Sequence, residues 1–309
     1  MVGKLSRALR RVPTHFVDIK ENPRWLPMFA LGRIMFFRNL TWSATKASGT
    51  FDSTSSLFPN IGTDEVVEAL RNKGLFRGLH LPGAVTDEIL SFAESTQCFG
   101  NFDRKIEFLA ADHASIEAAI GRGVLTGHFF ERVLNCDAAI RVQKDPLLKH
   151  VAQSYLGDQA HVTATRLWWS FPASGTTEAD LHLASQERFH FDLDDWRLIK
   201  FFFYIQPVDE NSGPHFYVIG SHSRRALRHQ YTLLVGHDAS DVEAVYGKAS
   251  IVKLTGPAGF GFVEDPFGFH MGSLVKSHPR LVLEIAFGVS RNLHRRFFGE
   301  PHPKTIAAP

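Results

Sequence analysis

A histidine and an aspartate two positions apart, with a second histidine far along the chain, can form one metal site. His190 and Asp192 flank a phenylalanine, and the distant histidine is His270. Alternate residues of an extended strand point to the same side, so His190 and Asp192 can bind one ion together. Two histidines and one carboxylate leave coordination positions open, a donor set that favours ferrous iron and oxygen chemistry. These three residues are therefore the predicted metal ligands.

An arginine follows the distant histidine at a position where it can bind an anion. Arg280 lies ten residues beyond His270, at the start of a predicted strand, and can point into the fold. Its planar guanidinium suits a carboxylate, which it can bind through two parallel hydrogen bonds. An open metal site beside a buried carboxylate receptor is typical of an iron oxygenase that uses a 2-oxo acid.

Helices in the first half of the chain and short strands in the second half would position these residues. Helices are predicted near 63–73, 85–95 and 145–156. Strands are predicted at 75–81, 162–171, 198–206, 216–219, 251–254, 260–264 and 280–289. This order predicts an α+β fold, with a double-stranded β-helix (jelly-roll, cupin-like) core flanked by N-terminal helices.

Several motifs resemble the phytanoyl-CoA dioxygenase (PhyH) family of Fe(II)/2-oxoglutarate-dependent oxygenases. The resemblance is carried by His190 with Asp192, by His270 with Arg280, and by PVDENSGPHFYVIGSHS at 207–223. Upstream, EVVEALRNKGLFRGLHLPGAVTDEILSFAE is similar to the helix–strand–helix entry of the same family. The resemblance spans roughly residues 63–290 and leaves the N-terminal arm outside it.

The resemblance implies cofactors and roles for these residues. Fe(II) would be held by His190, Asp192 and His270, with 2-oxoglutarate and O2 as co-substrates. Arg280, helped by Ser277, would bind the far carboxylate of 2-oxoglutarate. Oxidation of a C–H bond, with release of succinate and CO2, is the implied reaction. An intact Asp192 favours hydroxylation or another oxidation over halogenation, because related halogenases replace this carboxylate with a small residue.

Other residues near the motifs have weaker expected roles. Trp169, on a predicted strand, is a candidate for the substrate pocket, although core packing is the ordinary role of such a residue. Asp194 and Asp195 are expected to cap or solvate a loop, and His222 is expected to orient a turn. Segment 172–187, which contains His182 and Glu187, is long enough to act as a lid over the site. The basic cluster at 291–296 is expected to be a solvated face, with contact to an anionic substrate as the alternative.

Charge and composition divide the chain into an arm, a domain and a tail. Residues 1–46 contain nine Lys or Arg against two acidic residues, although the whole chain has a net charge of only +2. We expect a basic arm and linker at 1–62, the oxygenase domain at 63–295 and a tail at 296–309. The arm can contact an anionic membrane or the acidic body of the protein, and no nucleic acid is expected as a partner. Two cysteines and the absence of a signal-peptide pattern favour the cytoplasm.

Two other functions fit the same residues. A cupin-like metal-dependent isomerase or hydrolase could use these ligands without oxygen, and a jelly-roll binding protein could have lost its chemistry. A binding protein has no need of three metal ligands and an arginine, which argues against the second alternative. A small-molecule substrate is expected, but no motif selects among substrate classes, and the oligomeric state stays open.

Overall fold

The computed structural model describes residues 20, 22–40, 53–172, 188–231, 236–290 and 298. His182 and Glu187 of the predicted lid, the basic cluster at 291–296 and the first part of the N-terminal arm lie outside these residues. Within the described residues no helix has the length and apolar character needed to cross a membrane.

Helices occupy the first half of the described chain and recur between later strands. They are α1 (Trp25–Leu31), α2 (Met35–Leu40), α3 (Thr63–Lys73), α4 (Gly83–Ser95), α5 (His113–Ile120), α6 (Asp137–Gln143), α7 (Pro146–Leu156), α8 (Leu227–Gln230) and α9 (Ala239–Tyr246). Gly74 ends α3 in the left-handed conformation, with φ of 76°. The Asp145 carboxylate accepts the Leu147 N–H at 2.8 Å and caps α7. The three predicted helices are confirmed.

The strands form two antiparallel sheets. They are β1 (Leu75–His80), β2 (Cys98–Gly100), β3 (Glu107–Phe108), β4 (Thr126–His128), β5 (His161–Ser170), β6 (Leu198–Tyr204), β7 (His215–Val218), β8 (Ile251–Leu254), β9 (Phe260–Glu264), β10 (His270–Gly272) and β11 (Arg280–Gly288). The large sheet has the order β1-β9-β6-β11-β5-β4-β2-β3, and the small sheet has the order β10-β7-β8. All the predicted strands are confirmed within one or two residues.

The two faces of the large sheet differ in what they pack against. Trp169, Phe201 and Leu283 belong to the face that is buried against the helices, in the main hydrophobic core. Phe202 and Val282 point to the other face and form a second cluster with Tyr217 of the small sheet. This alternation follows from the two-residue period of a strand. The sheets therefore pack against each other around a cluster that contains no residue of the described helices, as the predicted jelly roll requires.

Residues before and after the small sheet extend it toward the candidate ligands. Isolated bridges join His190 to His270, the first residue of β10, and join Phe189 to His237. The extended edge therefore runs from His237 through 189–190 to β10 and then to β7. This edge places a histidine from each of three separate segments along one rim of the sandwich.

The described part of the N-terminal arm is anchored to the body of the protein. The Arg38 guanidinium, 2% exposed, forms a buried ion pair with Asp265 at 3.1 Å and donates to the Trp196 carbonyl at 2.7 Å. The backbone N–H of Met35 donates to the Gln230 side chain at 2.9 Å. An acidic residue of the body thus binds a basic residue of the arm, which was one of the two predicted contacts of the arm.

Candidate metal centre

His190 and His270 lie side by side because their backbones pair. Each donates its N–H to the carbonyl oxygen of the other, at 2.9 Å in both directions. Their imidazole rings are 4.4 Å apart between centroids, in an edge-to-face arrangement. The pairing brings together two residues that are eighty positions apart in the sequence.

Both imidazoles are oriented by the same local contact. Nδ1 of His190 lies 3.1 Å from the Arg188 carbonyl oxygen, and Nδ1 of His270 lies 3.0 Å from the Gly268 carbonyl oxygen. A carbonyl can only accept, so Nδ1 of each ring carries the hydrogen and Nε2 is left with its lone pair. Metal-ligating histidines ordinarily make such a hydrogen bond through the ring nitrogen that does not bind the metal, because it fixes the tautomer and the ring orientation.

Asp192 completes a cluster of three donors. Its backbone N–H donates to the Pro266 carbonyl at 2.8 Å, which ties it to the turn that precedes His270. Nε2 of His270 lies 3.8 Å from Oδ2 of Asp192. One donor atom from each of His190, Asp192 and His270 lies within 4.8 Å of the other two. The predicted triad is therefore brought together at one point.

A buried lysine forms an ion pair with the carboxylate of this cluster. Nζ of Lys200, in the middle of β6, lies 2.5 Å from Oδ2 of Asp192. Burial, the largest single influence, would raise the pKa of Asp192, but the charge and hydrogen bond of Lys200, together with the neighbouring His270 and His190, hold that pKa well below its usual value. Burial lowers the pKa of His270 to about 4, so its imidazole is neutral near pH 7. An ionised carboxylate beside a neutral imidazole with a free lone pair is the state that binds a metal ion.

A second pair of buried groups lies behind His270. Nε2 of His215 is 2.9 Å from Oε2 of Glu264, and Oε1 of Glu264 is 3.8 Å from Nδ1 of His270. The rings of His215 and His270 stack at 5.6 Å. Burial raises the pKa of Glu264 to about 7 and lowers the pKa of His215 to about 3. The carboxyl group thus lies on the side of His270 opposite Asp192 and contacts the His215 ring that stacks on it.

Arg280 is a buried cation with no carboxylate partner in the described part of the chain. It is 6% exposed, and burial lowers its pKa. Its Nη2 donates to the Ser170 hydroxyl at 3.2 Å, and it also bonds the Tyr204 hydroxyl. Among the described residues no acidic side chain pairs with it, and its Nε–H has no acceptor. Arg280 is near enough to His215 for its charge to help lower the pKa of that histidine.

The donor set fits Fe(II) and a dicarboxylate co-substrate. Two imidazoles and one carboxylate leave room for other ligands on a divalent iron. A buried guanidinium with an unused N–H suits one end of an organic dianion, since an anion would satisfy both its charge and its hydrogen bond. His190, Asp192 and His270 are the residues that would hold iron, and Arg280 is the residue that would hold the carboxylate.

Two predicted pocket residues lie elsewhere. Ser277 is exposed, and its hydroxyl faces the Asn211 carbonyl at 3.5 Å; the hydroxyl beside Arg280 comes from Ser170, its partner across the strands. Trp169 lies in the core between sheet and helices, whereas Trp168 packs against the cluster between the sheets. Trp168 and Trp169 lie on opposite faces of the large sheet because neighbouring residues of a strand point in opposite directions.

The residues expected to be structural have structural contacts. Buried Asp195 accepts the backbone N–H groups of Val289 at 2.7 Å and Ser290 at 2.9 Å. Asp194 is half exposed, with its carboxylate 3.8 Å from Lys200. Nε2 of His222 lies 3.2 Å from the carbonyl oxygen of Arg71 in α3. These contacts account for all three side chains without a metal.

Sequence reasoning missed Lys200, His215 and Glu264. A lysine inside the apolar run at 198–206 is a signal that was available, because an unpaired charge in a buried strand is costly. His215 precedes the predicted strand 216–219 and Glu264 ends the predicted strand 260–264, and no local pattern marks the two as partners. Their contact depends on the packing of one sheet on the other.

The sequence matches no protein-family model and no curated protein sequence. Solved structures do resemble the fold. HygX from Streptomyces hygroscopicus, with nickel and 2-oxoglutarate bound, has a TM-score of 0.51 at 12% identity, over 75% of this chain and 89% of that chain. HygX with hygromycin B also bound has a TM-score of 0.50 at 11% identity, over 74% and 87%. The epimerase SnoN, in complex with Fe3+, alpha ketoglutarate and nogalamycin RO, has a TM-score of 0.49 at 14% identity, over 73% and 83%. At these identities the likeness to HygX shows a shared fold.

Proposed function

We propose that the protein is a non-haem Fe(II)/2-oxoglutarate-dependent oxygenase that oxidises an unactivated C–H bond of a small-molecule metabolite. The observation that carries the proposal is the convergence of His190, Asp192 and His270 on one point, with Nδ1 of both histidines bonded to a carbonyl. Hydroxylation, with release of succinate and CO2, is the reaction we expect. Residues 63–295 would form the catalytic domain.

Arg280 supports 2-oxoglutarate as the co-substrate. Its buried guanidinium, beside the hydroxyls of Ser170 and Tyr204, would hold the carboxylate of 2-oxoglutarate that lies away from the metal. Ser170 is better placed than the exposed Ser277 to assist. HygX, which shares the fold, has been solved with nickel and 2-oxoglutarate bound, and the same combination suits this site.

The chain's own residues would bind and orient the reactants. Iron would supply the oxidising chemistry, with O2 and 2-oxoglutarate as co-substrates. Lys200 would keep Asp192 ionised and fixed in position. Glu264 would hold His215 against His270. The rings of Phe202 and Phe262, which stack at 5.1 Å beside His215, would exclude water from the interior.

The proposal is tested by the conversion of 2-oxoglutarate to succinate. We expect succinate formation by the purified protein to require both Fe(II) and O2, and to fall to background in Asp192→Ala. The variant should keep the circular-dichroism spectrum of the wild type. A cupin-like isomerase or hydrolase would turn over without 2-oxoglutarate, and a binding protein would form no succinate. Full activity in Asp192→Ala would show that the assigned triad is wrong.

A further inference from the structure

A second group of possible metal ligands lies outside the triad. His229 belongs to the short helix α8, His237 pairs with Phe189 at the edge of the small sheet, and Asp241 lies in the first turn of α9. One donor atom from each of the three lies within 4.8 Å of the other two. None of these residues belongs to the candidate iron site.

The donor distances match those around a tetrahedral ion. Nε2 of His229 is 3.2 Å from Oδ2 of Asp241, and Nδ1 of His237 is 3.1 Å from the same oxygen. Zinc binds nitrogen and oxygen at about 2.0–2.2 Å, so two ligands of a tetrahedral zinc are about 3.3–3.5 Å apart. The two His–Asp241 separations therefore differ from this spacing by only tenths of an ångström, and the two histidine donors lie within 4.8 Å of each other.

Neighbouring groups hold each donor in this orientation. Nδ1 of His229 lies 3.0 Å from the Tyr246 hydroxyl, which leaves Nε2 to face Asp241. Arg228 binds the other carboxylate oxygen, Oδ1, at 3.0 Å. His237 is fixed through its backbone, which exchanges hydrogen bonds of 3.0 and 2.7 Å with Phe189. The side-chain contacts of His229 and Asp241 are of the kind that orients the ligands of a pre-arranged metal site.

The two histidines of this cluster are buried, whereas the aspartate is partly exposed to solvent. The side chains of His229 and His237 are 2% and 5% exposed, while Asp241 is 41% exposed. The open side at Asp241 gives the ion an entry and leaves a position for a water molecule.

We propose that His229, His237 and Asp241 bind a second metal ion, a structural zinc that is separate from the proposed iron. Imidazole and carboxylate ligands suit zinc, and a water molecule at the open side would complete its four-coordinate shell. The ion would join α8, the edge residue His237 and α9. Because His237 pairs with Phe189, the cross-link would stabilise the segment that carries His190.

The test counts zinc ions on chelator-treated full-length protein by equilibrium dialysis. Wild type should bind two zinc ions per chain at low micromolar zinc, since zinc also occupies the triad. The His190→Ala/His270→Ala variant should bind one. Adding His229→Gln or Asp241→Asn to that variant should weaken this binding by more than about 100-fold, because losing a ligand costs more than losing an outer contact. His80→Ala, at an exposed histidine, is the matched control and should change nothing.

Two further readouts keep the test decisive if a variant folds poorly. Cobalt in the His190→Ala/His270→Ala variant should give the visible absorption of a tetrahedral site, and zinc should raise its melting temperature. If that variant is unfolded, the comparison moves to single variants, where His229→Gln should bind one zinc against two for wild type. Loss of all zinc binding in a folded His190→Ala/His270→Ala variant, or unchanged zinc binding in both His229→Gln and Asp241→Asn, would overturn the proposal.

Discussion

Nζ of Lys200 lies 2.5 Å from Oδ2 of Asp192, inside the interior between the two sheets. The same ammonium is 4.0 Å from Glu284, which in turn pairs with Arg166 at 3.0 Å. Charges on three adjacent strands, β5, β6 and β11, therefore form one line that ends at the candidate metal ligand. Among the described residues, Lys200 forms the ion pair with Asp192, and its charge helps to keep that carboxylate ionised.

Removing Lys200 should destabilise the metal-free protein. Lys200→Met leaves Asp192 as a buried charge without its partner, which costs about 3–5 kcal/mol of unfolding free energy. A divalent ion would supply the missing charge, so added Ni2+ should raise the melting temperature more in Lys200→Met than in wild type. Urea unfolding with and without metal measures both effects.

The exposed pair Lys253–Glu210 provides the control for that experiment. Its two side chains are 39% and 76% exposed, so Lys253→Met should change stability by less than about 0.5 kcal/mol. Equal destabilisation by the two substitutions would contradict the account of the Lys200 pair.

Arg280 should determine the affinity for 2-oxoglutarate. Arg280→Ala would remove the only guanidinium assigned to the dicarboxylate and should weaken its binding by about 2–4 kcal/mol, roughly 30- to 1,000-fold. Ser170→Ala removes one neutral hydrogen bond and should cost about 0.5–1.5 kcal/mol. Calorimetric titration of 2-oxoglutarate into the Ni2+-loaded variants measures both losses of affinity. An unchanged affinity in Arg280→Ala would mean that the co-substrate binds elsewhere.

Arg38 should contribute strongly to the stability of the protein, although it belongs to the arm. Its partner Asp265 also accepts the Tyr155 hydroxyl at 2.9 Å and the Phe267 N–H at 3.0 Å. Arg38→Ala leaves this buried carboxylate without its ion-pair partner and should cost about 3–5 kcal/mol. Arg24→Ala, at an exposed arginine of the same arm, should cost less than about 0.5 kcal/mol. Similar urea midpoints for the two variants would show that the arm is not anchored through Arg38.

His128 should make the protein less stable in mild acid. Burial, helped by the charge of Arg166, lowers the pKa of His128 to about 3, against about 6.5 in an unfolded chain. Between these values the unfolded chain binds a proton that the folded protein does not, so stability falls as the pH is lowered through this window. His128 should account for about 2 kcal/mol of the loss between pH 7 and pH 5.

The His128→Phe variant isolates this contribution. Phenylalanine keeps the ring stacking against Phe102 and cannot bind a proton, so its stability should change less between the two pH values than that of wild type. His80→Phe, at an exposed histidine, is the control. Equal pH dependence in wild type and His128→Phe would contradict the prediction.

Local patterns predicted most of the fold elements and the proximity of the triad. Gly74 ends α3 as expected, and strands Ile251–Leu254 and Phe260–Glu264 have the predicted bounds. The fold of the solved HygX structures agrees with the predicted jelly-roll class. Apolar periodicity and turn residues carry this information because they act over a few neighbouring positions.

Long-range contacts could not be predicted in the same way. Ser170 reaches Arg280 only through the register of β5 against β11, and that register also turns Trp169 toward the helices. The strands β2, β3 and β4 contain two or three residues each, too few for a periodic pattern. His229, His237 and Asp241 meet through the packing of α8 and α9 on the sheet edge, for which the sequence has no local signal.

The central claim is that His190, Asp192 and His270 bind Fe(II) in a form that accepts 2-oxoglutarate. Anaerobic titration of 2-oxoglutarate into the Fe(II)-loaded protein tests it directly and needs no knowledge of the substrate. The account predicts a visible charge-transfer band that saturates at one 2-oxoglutarate per chain and is absent in Asp192→Ala. A wild-type protein that binds Fe(II) but develops no band at millimolar 2-oxoglutarate, or a band unchanged in Asp192→Ala, would contradict it.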